Sequence, residues 1–416
     1  MLIPKEPLHL FEGYGIEMEY MLVSNIDLSV SPMADKLLST VAQQEDEEIS
    51  EFEHGDIAWS NELVAHVIEF KTNGPVASLN GLSDRFQHNI DLANQVLTQF
   101  DAGLLSTGAH PWMDPEKEMQ LWPYGYHDIY NVYHEIFDCR GHGWSNLQST
   151  HLNLPFANDA EFALLHTAIR FLLPLMPALS ASTPILDGKP SGMMDTRLSY
   201  YALNQQNIPS ITGWVIPELV LSRHAYETEI LERMYRDISP HDPEKYLQHE
   251  WLNSRGAIAR FDRHAIEIRI LDIQETPSAD LGLIALIISV LKALTTERWV
   301  PFNHIAAWSE ESLHAIWQQV ILSGQSAIVT DKTYLMALGI DASSMTVKDI
   351  WQHLYTQVFQ IYDTYDTPLT QAIEHILTHG NLSERILHAL RRDYRKEALR
   401  DVYQRLAMCL KQGALF

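Results

Sequence analysis

Cysteine and basic residues are scarce in this chain, and both shortages restrict what it can do. Only two cysteines, Cys139 and Cys409, occur among 416 residues, so a disulfide framework is excluded and a reducing cytoplasm is the expected location. The 29 Lys and Arg residues face 54 Asp and Glu residues, giving a formal net charge of −25. Such a surface repels nucleic-acid phosphates and anionic lipid, so an anionic substrate would need local cations or a bound metal.

Long apolar segments and targeting signals are lacking too. The longest apolar stretch, 281–290, is much shorter than the roughly 20 residues that cross a bilayer, and it predicts a buried helix. The N-terminus has no basic segment followed by an apolar core, so we expect no signal peptide. The basic residues of the amphipathic tail, 382–413, are interpreted as the solvated face of a packing helix. We therefore expect neither nucleic acid nor a membrane as a partner, and the sequence does not indicate the oligomeric state.

The common nucleotide and protease motifs are also missing. The chain has no GxxxxGK[ST] loop and no GxGxxG loop, and the segment 188–192 is too short to form the former. HExxH is absent, which argues against a metalloprotease, and no Ser/His/Asp or Cys/His set indicates a covalent nucleophile. Phosphate or metal chemistry must therefore come from dispersed side chains.

Strand patterns precede helical ones along the chain. Alternating or nearly alternating polarity predicts strands at 15–23, 61–72, 147–156 and 255–273, the last as a hairpin turning at 262–264. Helical spacing predicts helices at 79–100, at 160–182 with a proline break, and after 277 almost to the end. The acidic run 44–53 is predicted to be a solvated loop. This order favours an α+β fold with an antiparallel sheet, and no convincing domain boundary interrupts it.

Two glutamates share one face of the first strand. Alternate side chains of a strand point the same way, so Glu17 and Glu19 lie together and the apolar residues between them lie opposite. Burying two unpaired carboxylates side by side would be expensive. They therefore either face water, as on an ordinary surface strand, or hold a cation.

A later strand pairs a glutamate with an arginine. Glu267 and Arg269 share one face, and three isoleucines form the other. A salt-bridged surface explains this pair equally well. The polar character continues through Asp272, Gln274 and Glu275, which predicts the rim of a site.

Two further strands carry polar faces. Glu69 and Lys71 share a face in the segment 61–72, whereas Glu62 has the wrong parity to join Glu69 unless a bulge intervenes. In the segment 147–156, His151 shares a polar face with Ser149 and Asn153. Four such strands can converge on one side of a sheet. Carboxylate-rich sites suit Mg²⁺ or Mn²⁺ better than Zn²⁺, and magnesium commonly serves phosphates, for which Arg269 offers a planar fork.

Five segments in order resemble glutamate–cysteine ligase family 2, the GCS2-type carboxylate–amine ligases of the glutamine synthetase-like superfamily. They are GIEMEYMLV, VIEFKT, GAHP at 108–111, QSTHLNLPF and IEIRILDIQETP, within about 11–280. The resemblance implies an antiparallel sheet forming a funnel-shaped active site, flanked by helices, as in the glutamine synthetase/guanido kinase-like fold. It also implies one catalytic domain over 1–416, with the sheet-forming motifs in 11–280 and a helical portion in 281–416.

The resemblance implies roles for individual residues. The expected Mg²⁺ ligands are Glu17, Glu19, Glu69, His151 and Glu267. Arg269 is expected to hold the γ-phosphate of ATP, acting with Glu267 in catalysis and with Gln274 in nucleotide binding. Arg197, in DTRLSY, resembles the arginine that binds the substrate's carboxylate, although a structural salt bridge explains it as well.

The implied reaction is an ATP- and Mg²⁺-dependent amide synthesis through an acyl phosphate, as in glutathione biosynthesis, with small-molecule amino acids and ATP as the partners. The sequence does not select cysteine over another amine, nor establish glutamate as the acyl donor. Two alternative hypotheses are a guanidino-type phosphotransferase of the same broad fold and a degenerate, non-catalytic relative. Arginine-poor strand faces argue against the first, and the retained glutamates argue against the second.

Overall fold

The computed structural model describes residues 6–44 and 48–416. Residues 1–5, where the signal-peptide expectation begins, and residues 45–47, in the acidic run, lie outside the described part of the chain.

Eight strands form one sheet, and every pairing in it is antiparallel. Its order is β2-β3-β4-β1-β6-β10-β9, with β5 paired to the C-terminal half of β1. The strands are β1 (Gly15–Ser24), β2 (Glu51–His54), β3 (Ile57–Asn61), β4 (Val67–Thr72), β5 (Ala102–Leu105), β6 (Ser149–Pro155), β9 (Ala257–Arg260) and β10 (Ala265–Asp272). Two short hairpins lie apart from it, β7 (Ile185–Leu186) with β8 (Lys189–Pro190), and β11 (Ile328–Val329) with β12 (Met345–Thr346).

Helices separate and flank these strands. Before β9 they are α1 (Ala34–Val41), α2 (Leu82–Leu97), α3 (Pro115–Glu118), α4 (His127–Phe137), α5 (His142–Ser145), α6 (Asp159–Leu172), α7 (Pro177–Ser180), α8 (Thr196–Tyr201), α9 (Arg223–Tyr226) and α10 (Glu232–Ile238). The remainder are α11 (Pro277–Thr295), α12 (Phe302–Ala306), α13 (Glu310–Ser323), α14 (Lys332–Ala337), α15 (Val347–Val358), α16 (Thr367–His379), α17 (Leu382–Leu390) and α18 (Lys396–Gln412). The antiparallel sheet, the helical C-terminal third and the predicted hairpin at 262–264 are confirmed.

One face of the sheet forms the main hydrophobic core. The apolar residues of β1, Ile16, Met18 and Tyr20, are fully buried there, and Tyr20 meets Phe70 of β4 edge to face. Helix α11 is joined to this face because Thr150 of β6 donates a hydrogen bond to the carboxylate of Asp280 at 2.5 Å. As predicted, α11 is a buried apolar helix. It is the one helix of the described residues long and apolar enough to cross a membrane, and 83% of its most apolar window is buried inside the protein.

The opposite face of the sheet carries a second, smaller core beside its polar residues. Met21 and Val23, which share a face with Glu17 and Glu19, are buried against apolar side chains of α17 and α18. These side chains are Leu382, Ile386, Leu390, Leu399, Val402, Tyr403 and Leu406. The tail helices therefore pack as predicted, and they cover the C-terminal end of β1.

Two segments have a secondary structure that differs from the prediction. The segment 61–72 is not one strand, because β3 ends at Asn61 and β4 begins at Val67, with a loop between them. The acidic run was predicted to be a loop, yet Glu51–His54 forms β2. The prediction was wrong because charge suggested solvation, whereas the backbone pairs with β3 and Phe52 packs against Trp59 at 5.5 Å between ring centroids.

Candidate active site

The strand register brings the predicted polar faces together on the sheet face that α11 does not cover. Glu17 lies opposite Lys71 on one neighbouring strand and opposite His151 on the other. Glu19 lies opposite Glu69. Because directly opposed residues share a face, β4, β1 and β6 present these side chains to the same space.

Glu17 and His151 form the centre of this cluster. The ring Nδ1 of His151 lies 2.8 Å from one carboxylate oxygen of Glu17, and Asn153 donates to the other at 3.1 Å. Burial by itself would raise the pKa of Glu17, but the hydrogen bond and charge of His151 lower it to about 2. Burial opposes protonation of His151, yet its hydrogen bond to Glu17 and the nearby glutamate charges raise its pKa to about 9. His151 thus carries positive charge among the carboxylates.

Glu19 is fixed from β6. The backbone amide of Ser149 donates to its carboxylate at 2.7 Å, and the Ser149 hydroxyl donates to the same oxygen at 2.9 Å. That hydroxyl also lies 2.9 Å from Nε2 of His151. Ser149 therefore orients both the glutamate and the histidine.

Glu69 occupies the side of the cluster toward β3. Ser60 donates to its Oε1 at 2.7 Å, and the ammonium of Lys71 lies 3.2 Å from the same oxygen. Burial and the charge of Glu17 raise the pKa of Glu69 to about 7, against the opposing charge of Lys71.

Glu267 occupies the other side, between two arginines. Arg260 of β9 donates to its Oε2 at 3.3 Å, and Nε of Arg269 lies 3.0 Å from its Oε1, at an angle that makes no hydrogen bond. Burial would lower the pKa of the Arg269 guanidinium, but the surrounding negative groups raise it. Arg260 was not singled out from the sequence, since its partner became evident only when β9 paired with β10.

Two groups of three residues can each hold a metal ion. Glu17, His151 and Glu267 offer ligand atoms that all lie within 4.8 Å of one another. Glu19 and Glu69 form a second such group with the shared His151. Carboxylate oxygens are the preferred ligands of hard divalent cations, so the four predicted glutamates fit a magnesium centre, and His151 would act as a ligand there in its neutral form.

Glu62 lies near the cluster, although its carboxylate belongs to neither ligand group. Counting along one strand from Glu62 to Glu69 gave opposite faces, but the loop between β3 and β4 invalidates the count. Glu62 instead follows Ser60, which lies opposite Glu69 on the cluster face. Its withdrawal from water and the charges of Glu19 and Glu69 raise its pKa well above the usual value. The length of the predicted strand 61–72 could have indicated the interruption, because most strands have only about 5 or 6 residues.

A bulge in β10 brings Asp272 to the face of the cluster. The register with β6 shifts between Ile268 and Leu271, so that Asp272 lies opposite Ser149. The Asp272 carboxylate accepts bonds from the backbone of Ser182 at 2.9 Å and from Thr183 at 3.1 Å. Asp272 is fully buried, so this part of the predicted rim of the site lies in the interior of the protein.

Arg197 is held by this buried aspartate. Its Nε donates to Asp272, and its NH2 has no hydrogen-bond partner among the described residues. The charge of Glu19 is close enough to raise the pKa of Arg197 further, against the effect of burial. The guanidinium is therefore positioned by a salt bridge while keeping a free donor beside the cluster.

The GAHP segment supports the same network. A Cβ on Gly108 would lie only 2.5 Å from the Asp272 carboxylate carbon, so the close approach requires glycine. His110 is buried; its Nε2 lies 2.7 Å from the carbonyl of Leu28, and burial lowers its pKa to about 4. GAHP is thus a packing segment behind Asp272 and Arg197.

Gln274 and Glu275 lie away from the cluster. The Gln274 amide donates to the carbonyls of Ser180 and Asp272 at 2.6 and 2.8 Å. Glu275 pairs with Arg385 of α17 and is fully buried. Both side chains thus contribute to packing contacts, and the nucleotide role of Gln274 stays a prediction.

The model of the family described as Glutamate-cysteine ligase family 2 (GCS2) matches residues 14–405. The chain belongs to this family. A relative from Archaeoglobus fulgidus, described as an uncharacterized protein, is 34% identical over 279 residues, which are 67% of this chain and 74% of the relative. A putative glutamate–cysteine ligase 2 from Ectopseudomonas mendocina is 28% identical over 188 residues, 44% of this chain and 45% of that relative.

A solved structure has the same fold. The crystal structure of a glutamate–cysteine ligase from Francisella tularensis, in complex with AMP, superposes with a TM-score of 0.63 over 98% of this chain and 90% of that chain. Sequence identity is 13%, so this likeness concerns the fold. Family and fold together indicate a ligase.

Proposed function

We propose that this chain is an ATP- and Mg²⁺-dependent carboxylate–amine ligase of the glutamate–cysteine ligase type. The observation that carries the proposal is the pair of metal-ligand groups sharing His151, with Arg269 beside one of them. Buried carboxylates that would hold divalent cations, with a guanidinium beside them, suit a nucleotide phosphate better than a neutral ligand. We extend the proposal to residues 1–416 as one catalytic unit in a reducing, cytoplasmic setting.

The proposed reaction has two bond-making steps. A carboxylate oxygen of the acyl donor attacks the γ-phosphorus of ATP, and ADP leaves with the electron pair of the broken P–O bond. The amine nitrogen then attacks the acyl carbon, phosphate leaves with the C–O electron pair, and the nitrogen loses a proton. Bound magnesium would supply charge neutralisation for the phosphates.

The chain's own residues bind and orient the reactants. Arg269 would contact the transferred phosphoryl group, since about a quarter of its side chain is exposed above Glu267. Arg197 would donate to the carboxylate of the acyl donor from its NH2, a buried group with no hydrogen-bond partner among the described residues. Burial of the cluster, with Glu267 and Glu69 side chains 5% and 9% exposed, limits water access to the activated acyl group.

The principal alternative within this class is a ligase that uses an amine other than cysteine. The contacts above concern phosphate and acyl donor, and cysteine is proposed as the amine from the family alone. A ligase using another amine is supported equally by the same contacts. A guanidino-type phosphotransferase is disfavoured, because the cluster faces are dominated by glutamates.

Phosphate release tests the proposal. Purified protein with ATP, Mg²⁺, glutamate and cysteine should release phosphate and ADP in equal amounts, with omission of either amino acid abolishing release. Replacement of cysteine by a panel of amines distinguishes the two ligase readings, since stimulation by another amine alone would exclude cysteine. No amino-acid-dependent ADP formation under any combination would contradict the proposed class.

A further inference from the structure

Lys71 stands out because the predicted metal and phosphate roles leave it unused. It lies in the middle of the sheet, on β4, directly opposite Glu17 and on the same face as Glu69. A lysine among carboxylates is most simply a structural counter-ion. Its position relative to Arg269 indicates a further role.

The two cations flank the cluster from opposite sides. Arg269 lies beside the group that contains Glu267, with Nε 3.0 Å from Oε1. Lys71 lies beside the group that contains Glu69, with Nζ 3.2 Å from Oε1. Their strands, β4 and β10, are separated by β1 and β6, so the two backbones are about 14 Å apart at ordinary strand spacing. A triphosphate and two long side chains can span that interval.

The same two cations are the most accessible charged groups of the cluster. The side chains of Lys71 and Arg269 are 25% and 26% exposed. The carboxylates of Glu17 and Glu267 are 16% and 5% exposed. An approaching polyanion therefore meets a cation at each end before it meets the glutamates of the two metal groups, and at Lys71 it would displace the half-exposed carboxylate of Glu51.

Lys71 also has hydrogen-bonding capacity for a ligand. An ammonium has three donors. One is given to Ser60 at 2.8 Å and one is directed at Glu69. The third faces Glu51, whose half-exposed carboxylate lies 3.5 Å away. That distance leaves this donor free to bind a stronger acceptor.

We propose that Lys71 binds a nucleotide phosphate that is not transferred, at the end of the cluster opposite Arg269. This inference rests on the proposed function, because it requires ATP to be the phosphate donor. The phosphate chain then lies across the two metal groups, with its transferred end at Arg269 and its other end at Lys71. Lys71 is a positioning residue for the nucleotide and takes no part in bond making.

Calorimetric titration with Mg·ATP and with Mg·ADP tests this assignment. Lys71→Met should weaken the binding of both nucleotides by about tenfold or more, as expected for the loss of one charge-assisted hydrogen bond. ADP is affected because it keeps the phosphates that are not transferred. Lys71→Arg should restore most of the affinity. Lys332→Met is the matched control, since Lys332 pairs with Asp341 outside the cluster and its loss changes the net charge equally.

Titration with Mg²⁺ alone separates the two roles of Lys71. Removing a competing cation beside Glu69 should leave Mg²⁺ affinity unchanged or increase it, while nucleotide affinity falls. A counter-ion role predicts instead that Lys71→Met binds Mg·ATP as tightly as the original chain or more tightly, which would overturn the assignment. Parallel loss of Mg²⁺ affinity would overturn it as well, because the metal site itself would be damaged. If the original chain binds Mg·ATP and only the Lys71 comparison fails, the proposed function stands; if the original chain binds none, both proposals fail.

Discussion

Donors from neighbouring strands orient the carboxylates of the cluster. The pairs are Asn153 with Glu17, Ser149 with Glu19, Ser60 with Glu69, and Arg260 with Glu267. Each donor reaches across a strand pairing, so the sheet itself fixes the geometry. Preorganised groups of this kind stabilise developing charge without rearranging during the reaction.

Glu267→Gln is the residue-scale prediction. The amide has nearly the shape of the carboxylate but lacks the charge that binds a cation, so turnover should fall by roughly a hundredfold or more. Steady-state ADP formation with saturating amino acids measures the loss, and the melting temperature should remain close to that of the original chain. Glu227→Gln is the control, because Glu227 pairs with Arg223 at 2.6 Å on an exposed helix. Full activity of Glu267→Gln would exclude Glu267 from the metal centre.

Interruptions of regular strands decide which residues enter the site. The loop after β3 frees Glu62 from the parity of Glu69, and the bulge in β10 turns Asp272 toward the face of Glu267. Both features break the two-residue repeat on which strand predictions depend. Strand alternation alone therefore assigns residues beside such interruptions to the wrong face of the sheet.

His166 of helix α6 should make the stability of the protein depend on pH. Its side chain is fully buried, and its ring nitrogens have no hydrogen-bond partner among the described residues. Burial, and then the charge of Arg170, lower its pKa to about 3. The unfolded chain therefore binds a proton near pH 6.5 that the folded chain does not, so stability is complete above that pH and is lost as pH falls toward 3. Between pH 6.5 and 4.5 this loss amounts to about 2 kcal/mol.

His166→Leu should remove that part of the acid sensitivity. Leucine fills much of the ring's volume without a titrating group, so the variant should be no less stable at pH 7.5 and more stable at pH 4.5. Urea unfolding at both values measures the difference. His224→Gln, at an exposed position of α9, is the control. An unchanged difference between the two pH values in His166→Leu would contradict the assignment.

At the scale of the whole molecule, the cluster lies on a sheet held between two hydrophobic cores. The larger core packs α11 and its neighbours against one face, and the smaller one packs α17 and α18 beside the cluster on the other. Close negative charges destabilise this arrangement until a cation offsets them.

Magnesium should therefore stabilise the folded chain. At a concentration one hundred times the dissociation constant, a ligand that binds only the folded state adds about 2.7 kcal/mol, so the melting temperature should rise with Mg²⁺ and return on chelation. Mg·ATP should raise it further. The combined Glu17→Gln and Glu19→Gln variant should lose the response to Mg²⁺, and in chelator it should melt no higher than the original chain, because His151 loses its carboxylate partner. An unchanged melting temperature over millimolar Mg²⁺ would contradict the metal centre.

Much of this organisation was determined by the sequence itself. Alternation over Gly15–Ser24 and Ser149–Pro155 identified both strands and the polar face of each, because the pleat sends alternate side chains to opposite sides. The same rule predicted that Glu17, Glu19 and His151 could meet. The composition of the apolar segment 281–290 was by itself enough to predict a buried helix.

The tertiary structure decided the features that the periodicity of the sequence does not predict. Strand order placed Lys71 and Arg269 at opposite sides of the cluster, and pairing of β9 with β10 supplied Arg260. The loop that begins at Glu62 and the bulge before Asp272 depend on contacts between segments far apart in the chain. Long-range pairing sets those positions, since a local pattern specifies which side chains share a face but not which strands become neighbours.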